Sequence, residues 1–385
     1  MVLALMKVAA QWFKSFVIKR GFLDGCTGWT IARRSAWATW RKHARLRMLQ
    51  MSGPVEPSRV LIARTDAIGD LVVTLPLVRA LKDRFPNVKV DLLVRNYAAP
   101  VARQAHGVNR VIEWNSAMAE DPKRRGMEAM RQGRYDVVVH AFPDPSVMQA
   151  ASRAGIPTRI ASGRRWAGIR HSTIQCWDSR KTSGGHEAWH GLRLLLPLGV
   201  DSDETFRKQT SLNAPEIQGP VFPLTAPMAA PPILLHPGSN GSAGNWPPDR
   251  FAALAVRLAE LGHTVGLTGT KEERASFGPH LPPHPRVVDL FGQLDLKELM
   301  ALQAQSALVV ASSTGPLHTA AALGTPCLGL YGKHAPEWPR RWAPLGPSVH
   351  ICISETLTAS GQLELSVEEV LEVCTPLLKT TDLRE

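Results

Sequence analysis

Cysteine is scarce and scattered in this chain. Its five residues, Cys26, Cys176, Cys327, Cys352 and Cys374, are odd in number and include no C-x-x-C pair. That argues against a disulfide framework and a structural zinc site, and fits a reducing compartment. Long apolar runs are missing as well: nothing approaches the ~20 residues that a helix needs to cross a bilayer. The start, Met1 to Val17, is broken by Lys7, Gln11 and Lys14 and offers no small-residue cleavage site, so no signal peptide is expected. The expected location is the cytoplasm. No G-x-G-x-x-G follows a strand, which disfavours a dehydrogenase. Nor does a D-x-D pair stand at a strand end; Asp201 and Asp203 have the spacing but follow a helix end and read as solvated acids. No metal and no bound cofactor are expected.

Acids are outnumbered, 33 against 45 basic residues, for a formal net charge of +12. The excess is local. Lys7, Lys14, Lys19, Arg20, Arg33, Arg34, Arg41, Lys42, Arg45 and Arg47 face the single acid Asp24 within the first fifty residues. Leu3, Met6, Val8, Ala10, Trp12, Phe13, Phe16 and Val17 recur there at roughly helical spacing. A basic, aromatic, amphipathic arm suits the surface of an anionic membrane, so residues 1–50 are expected to bind an inner-leaflet surface as a peripheral anchor. No nucleic-acid partner is expected, because basic residues without a recognition motif are weak evidence for one.

From Arg59 onwards, short apolar strands alternate with helices. Strands are expected at Val60–Ala63, Val88–Val94, Arg110–Trp114, Asp136–Ala141 and Thr158–Ala161. After the Pro-rich stretch 214–232 they return at Ile233–His236, Val265–Thr268, Val287–Leu290, Leu308–Ala311 and Cys327–Tyr331. Continuous apolar strands with intervening helices indicate parallel sheets covered on both faces. The expected architecture is α/β, two doubly wound Rossmann-like domains facing a cleft. Its parts are an arm (1–58), a first domain (59–213), a linker (214–232) and a second domain with a C-terminal helix (233–385). Pro76 should break the helix after the first strand, and Ser366 with Glu369 forms a capping box for the last helix.

In such sheets ligands bind beyond the carboxyl ends of the strands. Four segments there carry candidate chemistry. In RVLIARTDAIGDLVVTLP (59–76), Gly69 permits a tight turn and Asp70 lies near a helix N-terminus, where a carboxylate can take a proton from an attacking hydroxyl or simply cap the helix. HPGSNGSAGNWPPDRF (236–251) is a Gly/Ser loop whose amides suit a phosphate. In LTGTKEERA (267–275), Glu272 or Glu273 could hold ribose hydroxyls. In ASSTGPLHTAAALGTP (311–326), a strand runs into Ser313, Thr314 and Gly315 at the start of an Ala-rich helix, with His318 one turn in. Hydroxyls and amides converge there on a site suited to a pyrophosphate.

In this order the four segments resemble the heptosyltransferases of glycosyltransferase family 9, over about Arg59 to Gly346. The resemblance implies a GT-B fold with an acceptor domain followed by a nucleotide-sugar domain. It implies inverting, metal-independent transfer from ADP-heptose to the inner core of lipopolysaccharide. It makes Asp70 the base and Glu273 the ribose contact. Thr314, Gly315 and His318 become the pyrophosphate-facing helix start, and Trp246 with Pro247 the pair that follows the donor loop. Ser239, Asn245, Thr268 and Ser313 complete the expected donor side, and Thr65 and Gly69 join the acceptor side. Two positions depart from the family pattern. Gly244 and Asn245 stand where a Lys or Arg usually precedes the Trp, and Ser313 stands where Asp usually precedes Thr-Gly. Lys333, after a strand end, is the candidate replacement for the missing charge. Arg164 and Arg165, in a loop-rich basic stretch with Trp166, Trp177 and Trp189, suit an acidic, lipid-linked saccharide acceptor. Two alternatives stay open: a GT-B enzyme using another nucleotide sugar or acceptor, and a non-catalytic, membrane-associated glycan-binding relative.

Overall fold

A computed structural model describes residues 2–51, 56–114, 122–180, 184–203, 212, 231–239, 244–334 and 338–381. The Pro-rich linker expected at 214–232 falls outside these residues except for its last two positions.

Two parallel six-stranded sheets form the body. The first contains β1 (Arg59–Arg64), β2 (Lys89–Arg95), β3 (Val108–Trp114), β4 (Val137–His140), β5 (Thr158–Ser162) and β6 (Ile174–Cys176), ordered β3-β2-β1-β4-β5-β6. The second contains β7 (Ile233–His236), β8 (Val265–Leu267), β9 (Val287–Asp289), β10 (Leu308–Ser312), β11 (Cys327–Gly332) and β12 (Val349–Ser354), ordered β12-β11-β10-β7-β8-β9. Each sheet repeats the doubly wound order, so its strand order reverses between its first and fourth strands, β1 and β4 or β7 and β10. A cleft opens at that point in such sheets. Together the two sheets are the two Rossmann-like halves of a GT-B fold.

The central strands are buried on both faces, as continuous Val/Ile/Leu runs require. Val60, Ile62, Val90, Leu92 and Val137 pack towards one helical layer, and Leu61, Leu93 and Val138 towards the other. In the second sheet Leu235, Val265 and Val310 face one way, and Leu234 and Val309 the other. Met300 and Ala322 of the second half belong to the first half's apolar cluster, so an apolar seam runs between the halves behind the cleft. β6 and β12 have no counterpart among the expected strands. Both are edge strands, one of three residues in the basic loop region and one with several half-exposed positions, so neither shows a continuous apolar run. Pro76 breaks its helix as expected: Ile68–Val72 ends, and Pro76–Arg84 begins with Pro76 at its first position. The Ser366–Glu369 capping box forms at the start of Val367–Thr381, with the Glu369 amide donating to Ser366 Oγ at 3.2 Å.

The arm is a helical hairpin, Val2–Phe13 against Gly25–Met51. No helix among the described residues is long and apolar enough to cross a membrane.

Candidate active site

The end of β1 sets one wall of the cleft. Arg64 closes the strand, 5% exposed, and Asp70 sits in the first turn of Ile68–Val72. The Arg64 guanidinium is a distributor: Nε donates to Asp66 at 2.6 Å, one terminal nitrogen donates to Asp70, and the other reaches the Ala141 carbonyl oxygen at 3.3 Å. That last nitrogen also lies 4.0 Å from the Glu187 carboxylate. Glu187 is buried at the start of Glu187–Leu192. It accepts from Arg180 at 2.7 Å and, across the cleft, from Arg341 at 3.2 Å. A cavity of about 450 Å³ opens here, and Arg64, Asp66, Asp70, Glu187 and Arg341 contribute to its lining. Arg164 and Arg165 reach it from the loop after β5. Thr65 is turned into its own half, donating to Asp144 Oδ2 at 3.1 Å, while Asp144 caps Pro145–Arg153.

This placement perturbs the Asp70 carboxyl. Burial pushes its carboxyl up to about 6, and Asp66 and Glu187 add to the rise against the pull of Arg64. A carboxylate so poised is ionised at neutral pH yet takes up a proton readily. Burial also acts on Glu187, but Arg180, Arg64 and Arg341 outweigh it and hold that carboxyl below its ordinary range. The two neighbouring acids are thereby driven in opposite directions, Asp70 upwards and Glu187 downwards.

The opposite wall belongs to the second half. β10 ends in Ser312, Thr314 stands at the N-cap position of Gly315–Ala322 without a side-chain cap bond, and Pro316 takes the second position of that helix. Ser312 Oγ, Thr314 Oγ1 and His318 Nδ1 are buried and have no hydrogen-bond partner in the protein. Burial drives His318 down to about 3, so its ring is neutral. The Tyr331 hydroxyl donates to the Trp342 carbonyl oxygen at 2.7 Å. At the end of β7, His236 Nδ1 meets Thr268 Oγ1 at 3.0 Å, and Ser239 is buried in the loop beyond. Glu273 is held by a capping box: Oε2 accepts the Thr270 amide at 2.8 Å, and the Glu273 amide donates to Thr270 Oγ1 at 3.1 Å. Its carboxylate also lies against Gly238, where any Cβ would stand 2.0 Å from Oε1. Ser239 and Glu273 are thus brought to the same strand ends.

The halves meet through glycine. A Cβ on Gly69 would stand 2.9 Å from His318 Cδ2, and one on Gly315 would stand 3.2 Å from Ile68 Cβ. The helix bearing Asp70 and the helix start bearing Thr314 therefore touch directly. Close by, His186 Nε2 donates to the Ala343 carbonyl oxygen at 2.8 Å, a second bond between the halves beside Glu187–Arg341.

Two expected donor residues are placed differently. Trp246 is wholly buried; its indole N–H donates to the Leu365 carbonyl oxygen at 2.9 Å and its ring meets Phe251 edge-on. It is a peg under the donor loop, because a side chain sealed in the core cannot touch a ligand. Lys333 is 54% exposed and ion-paired with Glu355 beyond the end of β11, which leaves its charge answered at the surface. Asn245 keeps a buried Oδ1 without a protein partner. Arg64, Asp66, Glu187 and Arg341 were not among the expected site residues. The signal for Arg64 was present, since a charged residue closing an apolar strand must find a partner. Arg341 gave none, for its role exists only where the halves face each other.

The glycosyltransferase family 9 (heptosyltransferase) profile matches residues 124–369. Lipopolysaccharide heptosyltransferase 1 of Escherichia coli K12 is 25% identical over 298 residues, covering 72% of this chain and 89% of its own. The glycosyl transferase family 9 structure from Veillonella parvula superposes with a TM-score of 0.72 at 19% identity, covering 86% of this chain and 99% of the other. The E. coli ADP-heptose lipopolysaccharide heptosyltransferase II structure superposes with a TM-score of 0.65 at 21% identity, covering 84% and 99%. With two doubly wound sheets, a half-buried Asp70 on a helix that touches the Gly315 helix start, and a family match over most of the body, this chain belongs to glycosyltransferase family 9 and is a glycosyltransferase.

Proposed function

We propose that the chain transfers heptose or a related sugar from ADP-heptose to an acidic, lipid-linked saccharide of the lipopolysaccharide-core type, at the inner face of the inner membrane and with inversion at the anomeric carbon. The observation that carries this reading is the contact of the helix that bears Asp70, through Ile68 and Gly69, with Gly315 and His318 of the facing helix start. A base and a pyrophosphate site then share one cleft, and the buried atoms Ser312 Oγ, Thr314 Oγ1 and His318 Nδ1 lack protein partners. The first half takes the acceptor and the second the donor.

The acceptor hydroxyl enters the cavity, where Arg164 and Arg165 face its acidic groups. Asp70 accepts the hydroxyl proton as the oxygen attacks the anomeric carbon from the side opposite the diphosphate. The bond from that carbon to the diphosphate oxygen breaks, and ADP leaves with the electron pair. Amides and hydroxyls at Thr314 and Gly315, with the helix dipole behind them, stabilise the growing negative charge. Glu273 accepts hydrogen bonds from ribose hydroxyls. Arg64 orients the Asp70 carboxylate, and contacts across the glycine seam complete the site when both halves engage.

The test begins with thermal-shift titration against ADP, UDP, GDP and CMP, since a ligand that binds only the folded state raises the melting temperature. Selective stabilisation by ADP is expected, followed by transfer from ADP-heptose to a heptose-deficient core acceptor. Selective stabilisation by UDP or GDP would replace heptose with another sugar. Gly244, Asn245 and Ser313 at the donor side make that the alternative to carry. Stabilisation by no nucleotide, with no turnover, would leave a glycan-binding protein.

A further inference from the structure

The reaction at the cleft makes no use of residues 2–51. Expected to bind a membrane surface as a peripheral anchor, this arm packs Trp12 of its first helix against the second helix. Trp12 stacks on Phe16 at 5.0 Å, and Trp29 of the second helix meets both edge-on at 5.4 Å. The turn is pinned where Gly28 crosses Gly21: a Cβ on Gly28 would stand 1.7 Å from the Gly21 carbonyl oxygen. Met6, Trp29, Ile31 and Trp37 stay partly exposed along the hairpin, and the densest exposed group is the tip. Ile18 is 67% exposed, Leu23 70%, Phe22 50% and Phe13 52%. Lys14, Lys19 and Arg20 stand exposed among them. At its other end the hairpin is bolted to the body, where Trp37 and Trp40 each meet Trp177 edge-on at 5.8 and 5.9 Å. The next residues after Trp177, Asp178, Ser179 and Arg180, line the active-site cavity.

We propose that the hairpin tip, residues 13–23, inserts into the surface of an anionic lipid bilayer and holds the sugar-transfer cavity beside it. Isolated exposed apolar residues are ordinary, but a contiguous apolar tip ringed by cations marks an interaction surface. The charges select the occupant. Lys14, Lys19 and Arg20 would repel a second copy of the same tip, whereas anionic headgroups attract them while the apolar side chains enter the acyl boundary. The hairpin is braced by aromatic contacts at both ends, so inserting the tip also orients the cavity wall. The bilayer contact itself stands apart from the proposed function; only its benefit for a lipid-linked acceptor rests on that reading.

Full-length protein is sedimented with phosphatidylcholine vesicles and with vesicles containing phosphatidylglycerol. Wild type should bind the anionic vesicles and lose binding as salt screens the charges. The Ile18→Asp/Leu23→Asp double variant should bind at least about tenfold more weakly, since it removes two large apolar groups from the boundary. Lys19→Glu/Arg20→Glu should weaken binding to anionic vesicles and leave neutral vesicles unchanged. An unaltered thermal transition of the body shows that each variant is folded. Equal binding by wild type and the Asp variant overturns the proposal. So does a change of oligomeric state in that variant with vesicle binding retained, which would make the tip a contact between copies. Failure of ADP-heptose transfer leaves these binding results untouched, so the two readings fail separately.

Discussion

Arg64, Asp66, Asp70 and Glu187 answer one another's charges at the end of β1. At the end of β10 the polar groups are neutral, and Ser312, Thr314 and His318 each bury an atom without a protein partner. The sheets that carry these two sites share one strand order. Topology therefore places both sites at strand ends but does not decide their electrostatics. On the first side the protein supplies both signs of charge and raises the Asp70 carboxyl, the proposed base, by burial and by neighbouring acids. On the second it supplies dipoles and hydroxyls, which suit a ligand that brings its own negative charge.

The sharpest break of this contrast is Asp70→Asn. Without the proton acceptor, turnover should fall about 10²- to 10⁴-fold, while the ADP-induced thermal shift stays as in wild type; steady-state rates beside that titration decide. A loss of nucleotide binding would mean that the two sides are not separable. In wild type the same carboxylate sets the pH profile. The reacting form is the ionised one and the carboxyl sits at about 6, so kcat/KM should fall about tenfold per pH unit below that value and level off above it.

Gly69→Ala tests the seam. A methyl group 2.9 Å from the His318 ring must push the halves apart, and a misplacement of about 1 Å is enough to cost up to ~10²-fold in rate. The expected signature is a fall in kcat with the ADP shift preserved. Glu273→Gln probes the neutral side where it carries its one acid. Losing a charge-assisted bond worth about 1.5–3 kcal/mol should weaken ADP binding by roughly 10- to 100-fold and leave the pH profile in place. Glu187→Gln sharpens the charged side. It removes a negative neighbour that raises Asp70, so the acid limb of the profile should move to lower pH; a limb that stays put would show that burial alone tunes the base. The smallest effect is expected from Lys333→Ala. Its exposed pair with Glu355 is of the kind worth about 0–1 kcal/mol, and nucleotide titration should show no more than about a twofold change.

Much of this was readable along the chain. Eight of the ten expected strands are central, and these announced themselves because a strand buried on both faces must be apolar throughout; β3 and β9 lie at sheet edges. Gly69, Asp70, Thr314 and Gly315 followed from being the residues just beyond strand ends. Trp246 looked like part of the donor loop because adjacency in sequence does not show which way a side chain turns; burial against Phe251 and Leu365 turned it into the core. Lys333 looked like a free cation because Glu355 comes from the end of another strand. Periodicity revealed an apolar face on the first helix but not that Trp12 of that helix packs on Trp29.

By itself, the sequence determined the alternation of strands and helices, the parallel sheets and the order of the strand-end motifs. These depend on local propensity and on periodicity over a few residues. Only the tertiary structure decided that Glu187 and Arg341 join across the cleft, that Gly69 lies on His318, and that Asp70 is raised by burial and by Glu187 from a distant segment. Pairing and burial depend on which distant residues share a low-dielectric volume, and that sharing is created by packing the two halves together.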